Sequence, residues 1–154
     1  MVTEIRESES SMTSVCLRIL GSITRMVGDP GEALRLHQEA LTAIPEGPKA
    51  ERERMLVLAE IGLDQVDLAR HAEAADSLEQ SLERFERFHR RSTPQRADAL
   101  LGLGRARMGL GQPDQALETL QRVDAMWREW DPGGRSAEEA ALWLGRCRER
   151  LGRN

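Results

Sequence analysis

Apolar positions recur along this chain at helical spacing, three and four residues apart, in blocks separated by Gly, Pro and Asp. The first block runs from about Met12 to Val27 and stops at Gly28-Asp29-Pro30, where Pro can open the next helix. That next helix carries Ala33, His37, Ala40, Leu41 and Ile44 on one face and ends at Pro45-Glu46-Gly47-Pro48. A third spans about Lys49 to Ala69 and a fourth about Ala72 to Arg90, the latter with Ala74, Leu78, Leu82, Phe85 and Phe88 on its face. Ser92-Thr93-Pro94 starts a fifth, which ends near Gly111-Gln112-Pro113. The sixth turns Ala116, Leu120, Val123, Trp127 and Trp130 toward its neighbours before Asp131-Pro132-Gly133-Gly134 breaks it. A seventh begins near Ser136 with Glu138 and Glu139 at its amino end and Arg146, Arg148, Arg150 and Arg153 at the other, which suits the helix dipole. Residues 1–11 are polar and acidic and are expected to form a flexible amino-terminal segment.

The helices repeat. Leu20-Gly21, Ile61-Gly62, Leu103-Gly104 and Leu144-Gly145 stand 41, 42 and 41 residues apart. Twelve residues after each of the first three glycines comes Ala33, Ala74 or Ala116, and four further on His37, Leu78 or Leu120. Gly or Ala lets two antiparallel helices approach, and the large side chain fills the adjoining space. One such pair buries little, so neighbours must stack to make a continuous core. The expected fold is all-α: a right-handed α-solenoid of three antiparallel helix pairs at about 12–47, 48–92 and 93–134, closed by a cap helix at 135–154.

These residues resemble the tetratricopeptide repeat, with its Leu-Gly in the first helix, Gly-Asp-type turn, and Glu-Ala in the second. The first copy offers Leu20-Gly21, Gly28-Asp29, Glu32-Ala33, Ala40-Leu41 and Pro45; the third Leu103-Gly104, Gly111-Gln112, Gln115-Ala116-Leu117 and Leu120. The second offers Ile61-Gly62, Glu73-Ala74, Leu78 and Leu82. Leu17, Leu58 and Leu100 stand where the family commonly has Trp, and Thr24, Gln65 and Arg107 where it has Tyr. The period exceeds the usual ~34 and overlaps the ~40–47 of HEAT and armadillo repeats, but the joint recurrence of Gly and Ala favours the tetratricopeptide reading. The long period resembles helix pairs of bacterial signalling proteins, where they accompany kinase, ATPase or regulator domains.

Composition changes little in this picture. Aromatic residues are 3% and charged residues 31%, which suits a soluble helical domain. No apolar run approaches the ~20 residues that span a bilayer, so a cytoplasmic chain is expected unless it was cut from a larger protein. The net charge of −4 argues against general affinity for nucleic acid. Cys16 and Cys147 read as two buried or idle thiols.

The resemblance implies that the first helix of each pair lines a concave groove. On that face fall Val15, Arg18, Ser22, Arg25 and Met26, then Leu56, Ala59, Leu63, Val66 and Asp67. Asp98, Leu101, Arg105 and Met108 follow, then Glu139, Leu142, Arg146 and Arg150. The third helix carries more apolar residues than one packed stripe needs, and the surplus is either core or the floor of a ligand groove. The groove reading takes Leu56, Ala59, Leu63, Val66, Leu101, Met108 and Leu142 as apolar lining, with Arg18, Arg105 and Arg146 at its rims. It would suit an amphipathic helix or an extended peptide carrying carboxylates. Chaperone-tail binding by a carboxylate clamp is disfavoured, since Ser22, Leu63, Arg105 and Arg146 stand at its main Asn place.

Chemistry finds no footing. His37 reads as a hydrogen-bonded core residue, and neither His71 nor His89 keeps metal-ligand spacing with another His or Cys. Gly102-Leu103-Gly104 continues a helix, and Glu60, Asp64 and Asp67 read as solvated helix surface. No nucleophile, base and orienter assemble, so no enzymatic activity, metal or cofactor is expected. The expected function is a non-enzymatic adaptor that binds another protein or peptide. One alternative is an oligomerisation or regulatory module of a larger signalling protein, self-associating through its carboxy-terminal half-repeat. Another is polyanion or RNA binding through Arg84, Arg87, Arg90, Arg91 and Arg96.

Overall fold

The computed structural model describes residues 1–88 and 93–152, with Val2 described by its backbone alone. Seven α-helices follow one another among the described residues: α1 (Val2–Met26), α2 (Pro30–Ala43), α3 (Glu51–Asp67), α4 (His71–Phe88), α5 (Pro94–Gly109), α6 (Pro113–Trp130) and α7 (Arg135–Arg150). A single 3-10 turn, Pro48–Ala50, leads into α3.

The turns inside the pairs share one device. After the first helix of each pair the chain enters the left-handed region at Gly28 (φ 97°), Ala69 (φ 57°) and Gly111 (φ 72°), and Gly152 (φ 65°) repeats it after α7. The next amide in each pair reaches back to a helix carbonyl: Asp29 to Thr24 at 3.2 Å, Arg70 to Gln65 at 2.8 Å and Gln112 to Arg107 at 2.9 Å. This satisfies carbonyls that the helix end would leave bare and fixes the reversal. Asp29 then caps α2 by accepting from the Glu32 amide at 3.0 Å, and Thr93 caps α5 by accepting from the Arg96 amide at 3.2 Å.

The repeated Gly is where the two helices of a pair touch. A Cβ on Gly21 would lie 2.5 Å from His37 Nε2, and one on Gly104 would lie 2.6 Å from Leu120 Cδ2. On Gly62 it would collide with Leu78. Gly145, in the last described helix, has nothing within 4 Å. The spacing of Gly, Ala and the large residue is thus a close-packing rule, as its recurrence implied.

Stacking comes next. Each second helix packs on the first helix of the following pair, and α1, α3, α5 and α7 also touch in succession, whereas α2, α4 and α6 make no comparable contact with one another. The array is an all-α solenoid with its first helices along the inner side. Leu78, Phe85, Leu100, Leu120 and Val123 anchor the large core that runs from α3 to α7. A smaller core holds Leu34, Ala40 and Ile44 of α2 against Val57 and Ile61 of α3.

Two local expectations change. Segment 1–11 is helical from Val2 onward, the opening turns of α1, because nothing between Met1 and Val27 breaks helical geometry. Phe88 and Trp130 are exposed rather than turned into the stack, each lying at the very end of its helix. The cysteines keep their reading as idle or buried thiols: Cys16 is exposed and free, and Cys147 is buried, its Sγ–H donating to the Pro113 carbonyl at 3.2 Å. Among the described residues no helix is long and apolar enough to cross a membrane.

Candidate functional site

Helix α3 sits between α1, α2, α4 and α5, so its polar residues are drawn into contacts from several sides. The expectation that Asp64 is solvated surface is wrong: its side chain is wholly buried. His37 of α2 brings Nδ1 to 2.5 Å from Asp64 Oδ2, while its Nε2–H donates to the Arg18 carbonyl at 3.1 Å. Arg25 of α1 adds its Nε 3.3 Å from Asp64 Oδ1 and donates from Nη2 to Glu60 at 2.6 Å. Burial pushes the Asp64 carboxyl up, and His37 and then Arg25 hold it down. Arg18 donates to Glu53 at 2.7 Å. Arg18, Arg25 and His37 of the first pair and Glu53, Glu60 and Asp64 of α3 therefore bind α1, α2 and α3 together through ion pairs and hydrogen bonds. His37 is the hydrogen-bonded core histidine that the repeat position implied.

Two adjoining clefts lie over this network on the inner face. One of about 290 Å³ is lined by Arg18, Arg25 and Arg52, by Leu56, Ala59, Glu60 and Leu63, and by Gln95 and Asp98. The other, about 210 Å³, takes Leu101, Gly102, Arg105 and Glu139 and shares Arg25, Leu63 and Asp98 with the first. The shared residues make one groove across α1, α3, α5 and α7. A larger hollow of about 580 Å³ lies elsewhere, between the opening turns of α1 and Pro45–Ala50.

Asp98 stands at the junction. Burial pushes its carboxyl up to about 6, Glu60 and Glu139 add to the push, and Arg25 opposes it. Three of the four cleft arginines are committed elsewhere: Arg25 and Arg18 as above, and Arg105 to Asp67 at 3.0 Å and Glu139 at 3.7 Å, while Arg52 has no acidic partner among the described residues. Asp98 itself forms no hydrogen bond or ion pair with any described residue. Its charge is left for something outside the fold.

The expected groove residues divide into three groups. Leu56, Ala59, Leu63 and Leu101 line the clefts, with Arg18 and Arg105 beside them. Val66 and Met108 are buried in the large core, so that part of the surplus on α3 and α5 is packing. Leu142 and Arg146 are exposed on α7, and Arg146 lies 4.9 Å from the centre of the Trp143 ring, which Arg105 approaches at 5.4 Å from its own side. Arg52, Glu60 and Gln95 line the groove without having been selected; Gln95 sits three residues before Asp98, which was already on the groove face, a spacing that could have flagged it. The arginine ridge is neutralised where it is described: Arg84 pairs with Glu51 at 3.4 Å, Arg87 with Glu83 at 3.0 Å and Arg96 with Glu86 at 3.2 Å. His89, Arg90, Arg91, Ser92 and Arg153 lie outside the described residues.

Comparisons with known proteins agree with this architecture. A TPR-like protein from Chlorobium tepidum superposes with a TM-score of 0.78 at 15% identity, over 96% of this chain and 97% of that one. The nearly identical TPR-like repeats assigned to a kinesin light chain of Podosopora anserina superpose with a TM-score of 0.69 at 22% identity, over 90% of this chain and 66% of that one. A comparison with curated protein sequences found no match. The tetratricopeptide repeat profile matches residues 53–129, half of the chain and the stretch that holds α4, α5 and most of α3 and α6. With the Gly–Ala packing rule, the positive-φ turn of each pair and this match in hand, the chain belongs to the tetratricopeptide repeat family.

Proposed function

We propose that this chain is a non-enzymatic cytoplasmic adaptor whose inner groove holds a segment of another protein, and that Asp98 receives a Lys or Arg side chain of that segment. Tetratricopeptide repeats are protein-interaction modules, and the groove between α1, α3, α5 and α7 is the concave surface such modules offer. One observation carries the reading: a half-buried carboxylate at the meeting point of two clefts, with Arg18, Arg25 and Arg105 each engaged by another acid and Arg52 alone of the cleft arginines without an acidic partner among the described residues. Such a group costs the free fold stability, and a bound cation would recover that cost. Leu56, Leu63 and Leu101 offer apolar contact on either side. The expected carboxylate-bearing ligand finds fewer free cations, since Arg18 and Arg105 are already paired and only Arg52 is left to receive a carboxylate. A preformed helical groove also spares the ordering cost that a flexible surface would add.

The test uses a random peptide display library selected on the native chain. Selected peptides should carry Lys or Arg between apolar residues. They should lose at least about tenfold in affinity for Asp98→Arg and for Leu63→Arg, each checked for native helicity. Binding should also strengthen between pH 5 and pH 7, because a ligand cation favours the ionised carboxyl. Peptides that bind both variants as well as they bind the native chain would overturn the groove assignment.

A further inference from the structure

A second interaction surface lies on the outer side of α1. Met12, Ile19, Leu20, Ile23, Met26 and Val27 are all exposed there, by between 49% for Ile19 and 85% for Met26. Met12, Cys16, Ile19, Ile23 and Met26 alternate in steps of four and three, the spacing of a helix seam, and Ile5 extends it by one further step of seven. The inward faces of α1 lie elsewhere, at Ser14 and Gly21, both buried, and at Arg18 and Arg25, which reach α3.

The repeat explains what this face is for. Forty-one residues on, Cys16, Leu20 and Val27 correspond to Val57, Ile61 and Leu68, the residues with which α3 joins the small core against α2. The outer side of α1 is therefore a stacking face that no described helix covers. It is also more apolar than its counterpart. Met12, Ile19 and Met26 stand where α3 has Glu53, Glu60 and Asp67, the acids that take arginines from neighbouring first helices.

We propose that this face pairs with the same face of a second copy of the chain, α1 against α1, about a two-fold axis. Three features select that occupant. From Met12 to Val27 the strip carries no charged side chain, so an identical strip is its natural complement. Its exposed apolar residues amount to roughly 800 Å² per copy, which puts a symmetric pair near the ~1,600 Å² of a standard stable interface. The other end of the array offers a poor partner: α7 exposes Glu138, Arg146, Arg148, Glu149 and Arg150, and head-to-tail stacking would set those charges against Ile and Met. The helices run antiparallel, with the dyad near Cys16 and Met12 of one copy opposite Ile23 of the other. A parallel pair would set Glu9 of both copies face to face on the seam.

Sedimentation velocity from about 1 to 100 µM tests this on the 154-residue chain. A monomer–dimer equilibrium is expected, weakened at least about 100-fold by Ile19→Glu with Ile23→Glu and to a lesser degree by Met26→Glu, which faces Glu9 of the other copy in this register, with helicity and Tm preserved. Met26→Glu guards against misfolding of the double variant, since Met26 is 85% exposed. Cys16 supplies a second readout, because it is the exposed thiol and Cys147 is buried: its maleimide labelling should slow as the dimer fills. A chain that stays monomeric at 100 µM overturns the pairing and leaves α1 to a helix from another protein. So does a dimer that survives both α1 variants, or one that forms without protecting Cys16.

Discussion

The first helix pair and the two that follow occupy the same repeat frame but are held by different physics. Where α3 and α5 bring a glycine against Leu78 and Leu120, α1 brings Gly21 against the ring of His37. In the later pairs that large side chain feeds one core running from α3 to α7. In the first pair it feeds a buried polar junction: His37 to Asp64 and to the Arg18 carbonyl, with Arg25 on Asp64 and Glu60. A leucine is interchangeable with other apolar residues of similar size, whereas each member of the junction needs its partners. The later pairs are thus cemented by shape. The first is docked by specific partners, at the price of a small core.

That contrast is broken most forcefully at Asp64. Asp64→Ala removes the partner of a fully buried histidine and should cost about 3–5 kcal/mol in urea unfolding. Replacing both members, His37→Leu with Asp64→Leu, should recover most of the loss, because it gives the first pair the apolar contact of the others. A double variant as damaged as the sum of its singles would mean that the junction is not a unit.

Glycines sharpen the comparison along the array. Gly62→Ala and Gly104→Ala should each cost about 1–3 kcal/mol by driving a methyl into Leu78 or Leu120. Gly145→Ala meets nothing and should gain about 0.5–1 kcal/mol from helix propensity. Equal effects at the three sites, read from Tm, would deny that Gly marks helix contact.

Asp98 links the two regions across the groove, and its effect on stability has a definite sign. A carboxyl raised from 3.8 to about 6 binds its proton more tightly in the fold than in the unfolded chain. Stability therefore falls as pH rises from about 4 to about 6, and the full cost is present at pH 7. Asp98→Asn should gain about 1–2 kcal/mol at pH 7 after allowance for solvent screening, and nothing below pH 4. Smallest is the turn of the second pair: Ala69 holds the left-handed conformation that glycine takes at Gly28 and Gly111, so Ala69→Gly should gain about 0.5–1 kcal/mol.

Local order was legible wherever one residue type served one contact. The repeated Leu-Gly and the Ala twelve residues later mark every helix pair, and Asp29 and Thr93 announce helix starts that the structure places there. The groove was legible only in outline, because which face of α3 is core depends on helices far away in sequence. Val66 and Leu63 look alike along the chain, yet α5 and its neighbours bury one and leave the other lining a cleft. Asp64 misled for the same reason: its partners His37 and Arg25 lie 27 and 39 residues back, and no local pattern joins them. The exposed strip on α1 was written in the spacing of Met12, Ile19 and Met26, but a seam and a buried face have the same periodicity until packing shows which side is covered.

The groove is tested most directly by amide chemical-shift mapping, with a display-selected peptide titrated onto the isotope-labelled chain. Shifts should concentrate on α3 and α5 around Leu63, Asp98, Leu101 and Arg105, leaving the outer sides of α4 and α6 still. Shifts confined to α4 and α6, with Asp98 and Leu63 unmoved, would contradict a ligand held on the inner face.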